Sequence, residues 1–227
     1  MARERTIAEE KSAKGLYYGA GRGGRSFENR WAEVREIADL RPSDEVLDVG
    51  CAEGLITLEA AKLVRRVHGF DIHAGRIAEA QRLASERGVE NATFEVASVL
   101  DYDFHPLSYD VALFMAVWGK LAVGTNELRG VLRATRRQLV MRVGVQQTRP
   151  LERRLEEILD VCDDSGFDAL CFSRPARKRE TGEAGGNLLI AFRQGMDAHV
   201  GELPRLALIP TSRLLDHPVV AARTRRP

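Results

Sequence analysis

The chain has 227 residues, 44% of them hydrophobic and 30% charged, with a formal net charge of +1. That length and apolar content suit one substantial core with a small appendage, and the near-neutral balance excludes a nucleic-acid or membrane partner recruited by global charge alone. No apolar stretch approaches the roughly 20 residues that span a bilayer. The charged start, with Arg3, Glu4, Arg5, Glu9, Glu10 and Lys11, is not a signal peptide, so a cytoplasmic location without a membrane partner is expected. Cys51, Cys162 and Cys171 lie in apolar runs without a Cys-x-x-Cys pair, a pattern of reduced, buried thiols rather than a disulfide framework or zinc site.

The first segment, residues 1–27, combines five glycines with Tyr17, Tyr18, Arg22 and Arg25, the composition of a leader that moves as a lid. From 28 to 194 strand-like and helix-like runs alternate. A helix over Glu28 to Leu40 sets Trp31, Val34, Ile37 and Ala38 on one stripe, and Arg41-Pro42-Ser43 breaks it. Strand Glu45 to Val49, helix 54–64, strand Arg66 to Phe70 and helix 74–87, closed by Gly88, follow as βαβ units. Strands are next predicted over Thr93 to Val96, Tyr109 to Met115 and Gln138 to Val143, the last two separated by a helix carrying Leu128, Val131 and Leu132. After Pro150 come a helix over 151–164 and the runs Phe167 to Phe172 and Asn187 to Phe192, joined by a helix-free stretch and therefore antiparallel. The expected class is α/β, a doubly wound, mostly parallel seven-stranded sheet with an antiparallel last strand. Residues 195–227, with Pro204, Pro210, Pro218 and Pro227, are expected to form a tail or dimer arm. Oligomeric state is not readable from the sequence.

The informative stretch is Val46-Leu47-Asp48-Val49-Gly50-Cys51-Ala52-Glu53-Gly54, a buried strand running into an acid and a glycine-bearing turn. A dinucleotide fingerprint requires glycines at 50, 52 and 55, but the chain has Gly50, Ala52 and Leu55. Asp48 would also repel a diphosphate, so an acid there suits a cation. Asp71 ends the next strand, 23 residues beyond Asp48, where doubly wound folds place an acid for ribose hydroxyls.

The pattern acid-x-Gly-x-Gly-x-Gly, met at Asp48, Gly50 and Gly54 with Ala52 in place of the middle glycine, resembles that of class I S-adenosylmethionine-dependent methyltransferases. The resemblance covers roughly residues 28 to 193. It implies a Rossmann-like methyltransferase fold with strand order 3-2-1-4-5-7-6 and S-adenosyl-L-methionine as cofactor, whose ammonium and sulfonium an acid attracts. By resemblance the cofactor-binding residues are Asp48, Gly50, Cys51, Gly54, Asp71, Ile72, Ser98, Val99 and Met115. Ser98 stands where the family often carries an acid for the adenine amino group; a hydroxyl accepts the same bond without charge, and Asp101 lies close by in sequence.

The resemblance implies methyl transfer to a small polar or aromatic metabolite, at oxygen, nitrogen or an activated carbon. Tyr18, Trp118 and Lys120 are the candidate acceptor contacts, and no catalytic residue is assigned. The Asn/Asp-Pro-Pro-Tyr/Phe signature of the amino-methylating members is missing after the fourth strand. His73 and His105 fall near strand carboxyl ends but are isolated, and no His or carboxylate cluster has metal-ligand spacing. An RNA acceptor, specifically tRNA, stays open through Arg174, Arg177, Lys178 and Arg179 and through a faint likeness of Tyr17-Tyr18 and Phe114 to Trp118 to wobble-uridine tRNA enzymes. A protein that binds the cofactor without catalysis is the remaining alternative.

Overall fold

The computed structural model describes residues 27–115, 123–144, 151–167, 169–172, 187–193 and 209–210. In chain order the elements are α1 (Phe27–Ile37), β1 (Glu45–Val49), α2 (Leu55–Ala61), β2 (Arg66–Asp71), α3 (Ala74–Glu86), β3 (Ala92–Val96), β4 (Tyr109–Phe114), α4 (Thr125–Ala134), β5 (Thr135–Gly144), α5 (Leu151–Asp164), β6 (Ala169–Phe172), β7 (Asn187–Arg193) and β8 (Ile209–Pro210).

Among the described residues, eight strands lie in one sheet, ordered β3-β2-β1-β4-β5-β7-β6-β8. The first five pair in parallel, and β7 runs antiparallel to both β5 and β6. The expected seven-strand order is therefore present. An eighth strand is the departure: Ile209–Pro210, within the segment expected as a tail, pairs antiparallel with β6. Two residues ending in proline carry no periodic signal, and proline fits an edge strand because no further neighbour needs its missing N–H.

The period-2 alternation of the strands builds the two larger of three buried clusters, the third joining Leu55 and Leu58 of α2 to Leu83 and Ala84 of α3. Leu47, Val49, Phe70, Ala112, Phe114, Leu139 and Met141 pack on one side with Leu128, Val131 and Leu132 of α4 and Ile158, Val161 and Cys162 of α5. Val46, Val67, Val111, Leu113 and Val140 pack on the other with Val34 and Ile37 of α1 and Ala60 and Ala61 of α2. Central strands buried on both faces read as continuous apolar runs, which is why β1 and β4 were legible.

Two boundaries differ from the sequence reading for a shared reason. The first helix ends at Ile37 rather than Leu40, because the buried Gln138 amide donates to the Ile37 carbonyl at 3.0 Å and accepts from the Asp39 N–H at 2.9 Å. The fifth strand begins at Thr135 rather than Gln138, directly out of α4. Arg136 and Arg137 lack apolar character, but Arg136 pairs with Asp110 at 3.1 Å, and Arg137 pairs with Asp39 at 2.9 Å and Asp44 at 2.6 Å. These pairs tie α1 and the foot of β1 to β5. Among the described residues no helix is long and apolar enough to cross a membrane.

Candidate functional site

In a sheet ordered β3-β2-β1-β4-β5 the direction of winding reverses between β1 and β4, and ligands of such folds bind outside the carboxyl ends of the strands at that reversal. The glycine turn sits there. Gly50, Ala52 and Gly54 all have left-handed backbone, at φ 70°, 53° and 73°. The Cys51 N–H donates to the Phe70 carbonyl at 2.9 Å, and the Gly54 N–H to the Cys51 carbonyl at 2.9 Å, so the turn folds back over β2. Gly69 makes room for it: a Cβ there would lie 3.0 Å from Cys51 Cβ and 3.2 Å from Thr57 Oγ1.

Ala52 holds a conformation that costs an L-residue about 1–2 kcal/mol. Ala52→Gly is expected to recover part of that, offset by the greater freedom of glycine in the unfolded chain. The expected net is a stabilisation of about 0.5 kcal/mol in denaturant melts; a clear loss of stability would show that the alanine methyl packs usefully.

Asp71 is 6% exposed. Its Oδ2 accepts the Ala52 N–H at 3.1 Å and its Oδ1 the His73 N–H at 2.9 Å. An ionised carboxylate has about four acceptor sites, so these bonds aim the group while keeping capacity for two hydroxyls. Arg76, in the first turn of α3, stands 3.9 Å from Asp71 Oδ2 and 4.0 Å from Glu53. Ile72, the next residue, is 52% exposed beside it.

Asp48 is 1% exposed and accepts the Thr57 hydroxyl at 2.6 Å. It lies beneath the turn rather than at its mouth. Burial pushes its carboxyl up from 3.8 to about 6, opposed by the Thr57 bond and assisted by the charge of Asp71. A folded pKa above the unfolded one contributes stability that is full below pH 3.8 and lost as pH rises through about 6. Asp48→Asn is therefore expected to be more stable than the wild type at pH 8, by about 3 kcal/mol, with the lead gone by pH 4. Urea melts at the two pH values check it, and an equal lead at both would remove the buried charge as the cause.

The remaining candidates divide. The Ser98 hydroxyl accepts the Leu100 N–H at 3.2 Å and ends β3 as a turn, and Val99 packs partly buried on the core. Ser98 also opens a cleft of about 360 Å³ lined by Glu95, Asp101, Tyr102, Asp103 and His105. Tyr102 stacks on Phe70 with ring centroids 4.1 Å apart. Met115, the residue after β4, is buried. Cys51 is buried, and burial pushes its thiol far up, so it supplies backbone rather than a nucleophile. Tyr18, Trp118, Lys120 and the basic run Arg174 to Arg179 lie outside the described residues. No group of three His, Cys, Asp or Glu residues suited to a metal occurs among the described residues.

Sequence reasoning missed Thr57, Gly69 and Arg76. A hydroxyl between Leu55 and Leu58 on a buried helix face and a glycine inside a strand were the available signals.

Residues 46–141 match the family described as Methyltransferase domain. With the fold and the turn, this makes residues 46–141 similar to a methyltransferase domain. Over 68 residues, 30% of the chain, it is 38% identical to the 23S rRNA (uracil(1939)-C(5))-methyltransferase RlmD of Xanthomonas campestris, and it spans only 15% of that protein's length. Over 81 residues, 34% of the chain and 37% of the relative, it is 35% identical to aklanonic acid methyltransferase DauC of a Streptomyces species. Among solved structures, magnesium protoporphyrin IX methyltransferase (ChlM) from Synechocystis, with SAH bound, aligns with a TM-score of 0.57 at 16% identity, covering 83% of this chain and 98% of that one. At that identity the likeness speaks for the fold.

Proposed function

We propose that the chain binds S-adenosylmethionine across the carboxyl edge of β3, β2 and β1 and transfers its methyl group to a small polar or aromatic acceptor. One observation carries the reading: two buried carboxylates, Asp48 and Asp71, flank a left-handed turn at the reversal of the sheet. That arrangement attracts a cation and repels a diphosphate. The residues fit the cofactor. Asp71 retains acceptor sites for the ribose hydroxyls, and the exposed Ile72 gives an apolar wall. Ser98 and Val99 would hold the adenine, the Gly50 and Cys51 backbone would hold the amino-acid tail, and Met115 would lie on the side toward β4. Asp48 acts through its field, since its oxygen is already held by Thr57.

When bound, the cofactor would supply an electrophilic methyl carbon to an acceptor lone pair, with S-adenosylhomocysteine as the leaving product. The chain's task is alignment and exclusion of water. Tyr18 of the 1–27 leader is assigned to closure over the site, and Trp118 and Lys120 to the acceptor.

A second reading, an RNA acceptor, is supported by the match to an rRNA methyltransferase. Incubation with methyl-labelled cofactor and separate pools of aromatic metabolites and tRNA distinguishes the two. Label in the metabolite pool is expected. Label only in RNA would replace the first reading with the second, and tight cofactor binding without transfer to any pool would leave a non-catalytic binder.

A further inference from the structure

Asp48 is a carboxylate that the fold buries without a cation. It is 1% exposed, its Oδ2 is held by the Thr57 hydroxyl at 2.6 Å, and its other oxygen meets no donor among the described residues. The charges around it have the same sign or are engaged elsewhere. Asp71 adds a negative charge from β2, Glu53 lies in the turn, and Arg76 of α3 is directed at those two acids, at 3.9 Å and 4.0 Å. From α2 comes only the Thr57 hydroxyl, since Glu59 and Lys62 pair with each other at 2.7 Å on the exposed side. Across the sheet the register sets Leu113 of β4 and Val140 of β5 level with Asp48. Two residues further along β5, on the same face, Arg142 is buried and turned to Glu33 of α1 at 3.4 Å.

A carboxylate taken out of water with no positive neighbour favours its neutral form, and ionising it costs free energy until a cation arrives. Burial and the charge of Asp71 hold the proton on, against the Thr57 bond. A cation in the site reverses that balance. Proton and cation then compete, and each weakens the other by the same factor. The methyl donor and its product share adenosine, ammonium and carboxylate, and they differ by one positive charge at sulfur. Contacts to the ribose or the adenine are common to both compounds. A buried negative charge is not, because its attraction follows net charge and is strengthened by the low dielectric around it.

We propose that Asp48 is a proton-linked specificity-determining residue: at mildly acidic pH it keeps a proton in the empty site, yields it to solvent as the donor binds, and through the resulting charge favours the sulfonium compound over the product. The charge acts across the glycine turn rather than by contact, since Asp48 lies beneath it. Loss of the methyl group removes the positive charge that held Asp48 ionised, so the product is retained less tightly and the proton returns.

This rests on the methyl-donor reading, and calorimetry keeps the two apart. The full chain is titrated with S-adenosylmethionine and with S-adenosylhomocysteine at pH 7.0, 5.5 and 5.0, each in two buffers of different ionisation heat, which counts the protons lost on binding. The wild type is expected to release about half a proton or more per donor at pH 5.5, to lose about fivefold or more of its donor affinity from pH 7.0 to 5.0, and to lose less of its product affinity. Asp48→Asn should abolish the release, flatten both pH profiles and lower the preference for donor over product at pH 7.0 by about fivefold. His73, exposed at the start of α3, is kept in the variant, so a proton exchanged there appears in both proteins. Donor binding at pH 5.5 without proton release, the same release in Asp48→Asn, or equal pH profiles for donor and product would each overturn the proposal. The wild-type proton count and profiles decide even where the variant fails to fold. Failure of the wild type to bind either sulfur compound at pH 7.0 would instead sink the methyl-donor reading itself, and this proposal with it.

Discussion

Asp71→Ala is expected to weaken S-adenosylmethionine binding by about 100-fold. Hydrogen bonds to an ionised acceptor contribute about 1.5 kcal/mol each or more, and two ribose hydroxyls on Asp71 amount to about 3 kcal/mol, or two decades in Kd. The same substitution removes the acceptors of the Ala52 and His73 N–H groups, at a further cost of about 1–2 kcal/mol in stability. Both effects share one origin: the carboxylate that would receive the ribose also fixes the turn and the start of α3. Calorimetric titration at a temperature where the variant is folded separates them. A folded variant with wild-type affinity would remove Asp71 from the site.

Gly54→Ala is the substitution expected to harm the fold most. A Cβ at φ 73° is strained in itself, at about 1–2 kcal/mol. It would also stand 2.6 Å from Phe94 Cε1 and 2.8 Å from Ala80 Cβ, an overpacking that costs about 1–3 kcal/mol. The sum, about 2–5 kcal/mol, corresponds to a fall of roughly 5–15 °C in Tm for a chain of this size. Gly75→Ala is the control, because a Cβ there meets nothing within 4 Å and alanine favours the helix. It is expected to be neutral or stabilising by about 0.5 kcal/mol. Equal melting of the two variants would mean that Phe94 and Ala80 yield freely. Gly54 thus links site and fold, since the residue that ends the turn also lets β3 and α3 close over it.

The layered architecture was legible because its signals are local. Val46, Leu47 and Val49 announce a doubly buried strand, and Ile77, Ala80, Leu83 and Ala84 announce one face of α3. The acids at 48 and 71 were legible from spacing, but their surroundings were not. Nothing in the sequence says that Thr57 occupies the Asp48 oxygen, because that contact joins a strand to a helix face. Arg142 was hidden for the opposite reason. A single charge in Leu139-Val140-Met141-Arg142-Val143 reads as the solvent side of an alternating strand, whereas both faces of β5 are covered and Glu33 meets it from α1. The start of β5 was missed because Arg136 and Arg137 look like loop residues until Asp110, Asp39 and Asp44 are seen beside them. Ile209–Pro210 was missed because two residues carry no period.

Whether the acid-flanked turn holds a cation is decided by calorimetric titration of the wild type at pH 7.5 with S-adenosylmethionine, S-adenosylhomocysteine and a nicotinamide dinucleotide in turn. Saturable one-site binding of the first two, with no heat from the third, is the expected result. Binding of the dinucleotide in competition with S-adenosylmethionine, or no binding of either sulfur compound, would contradict it.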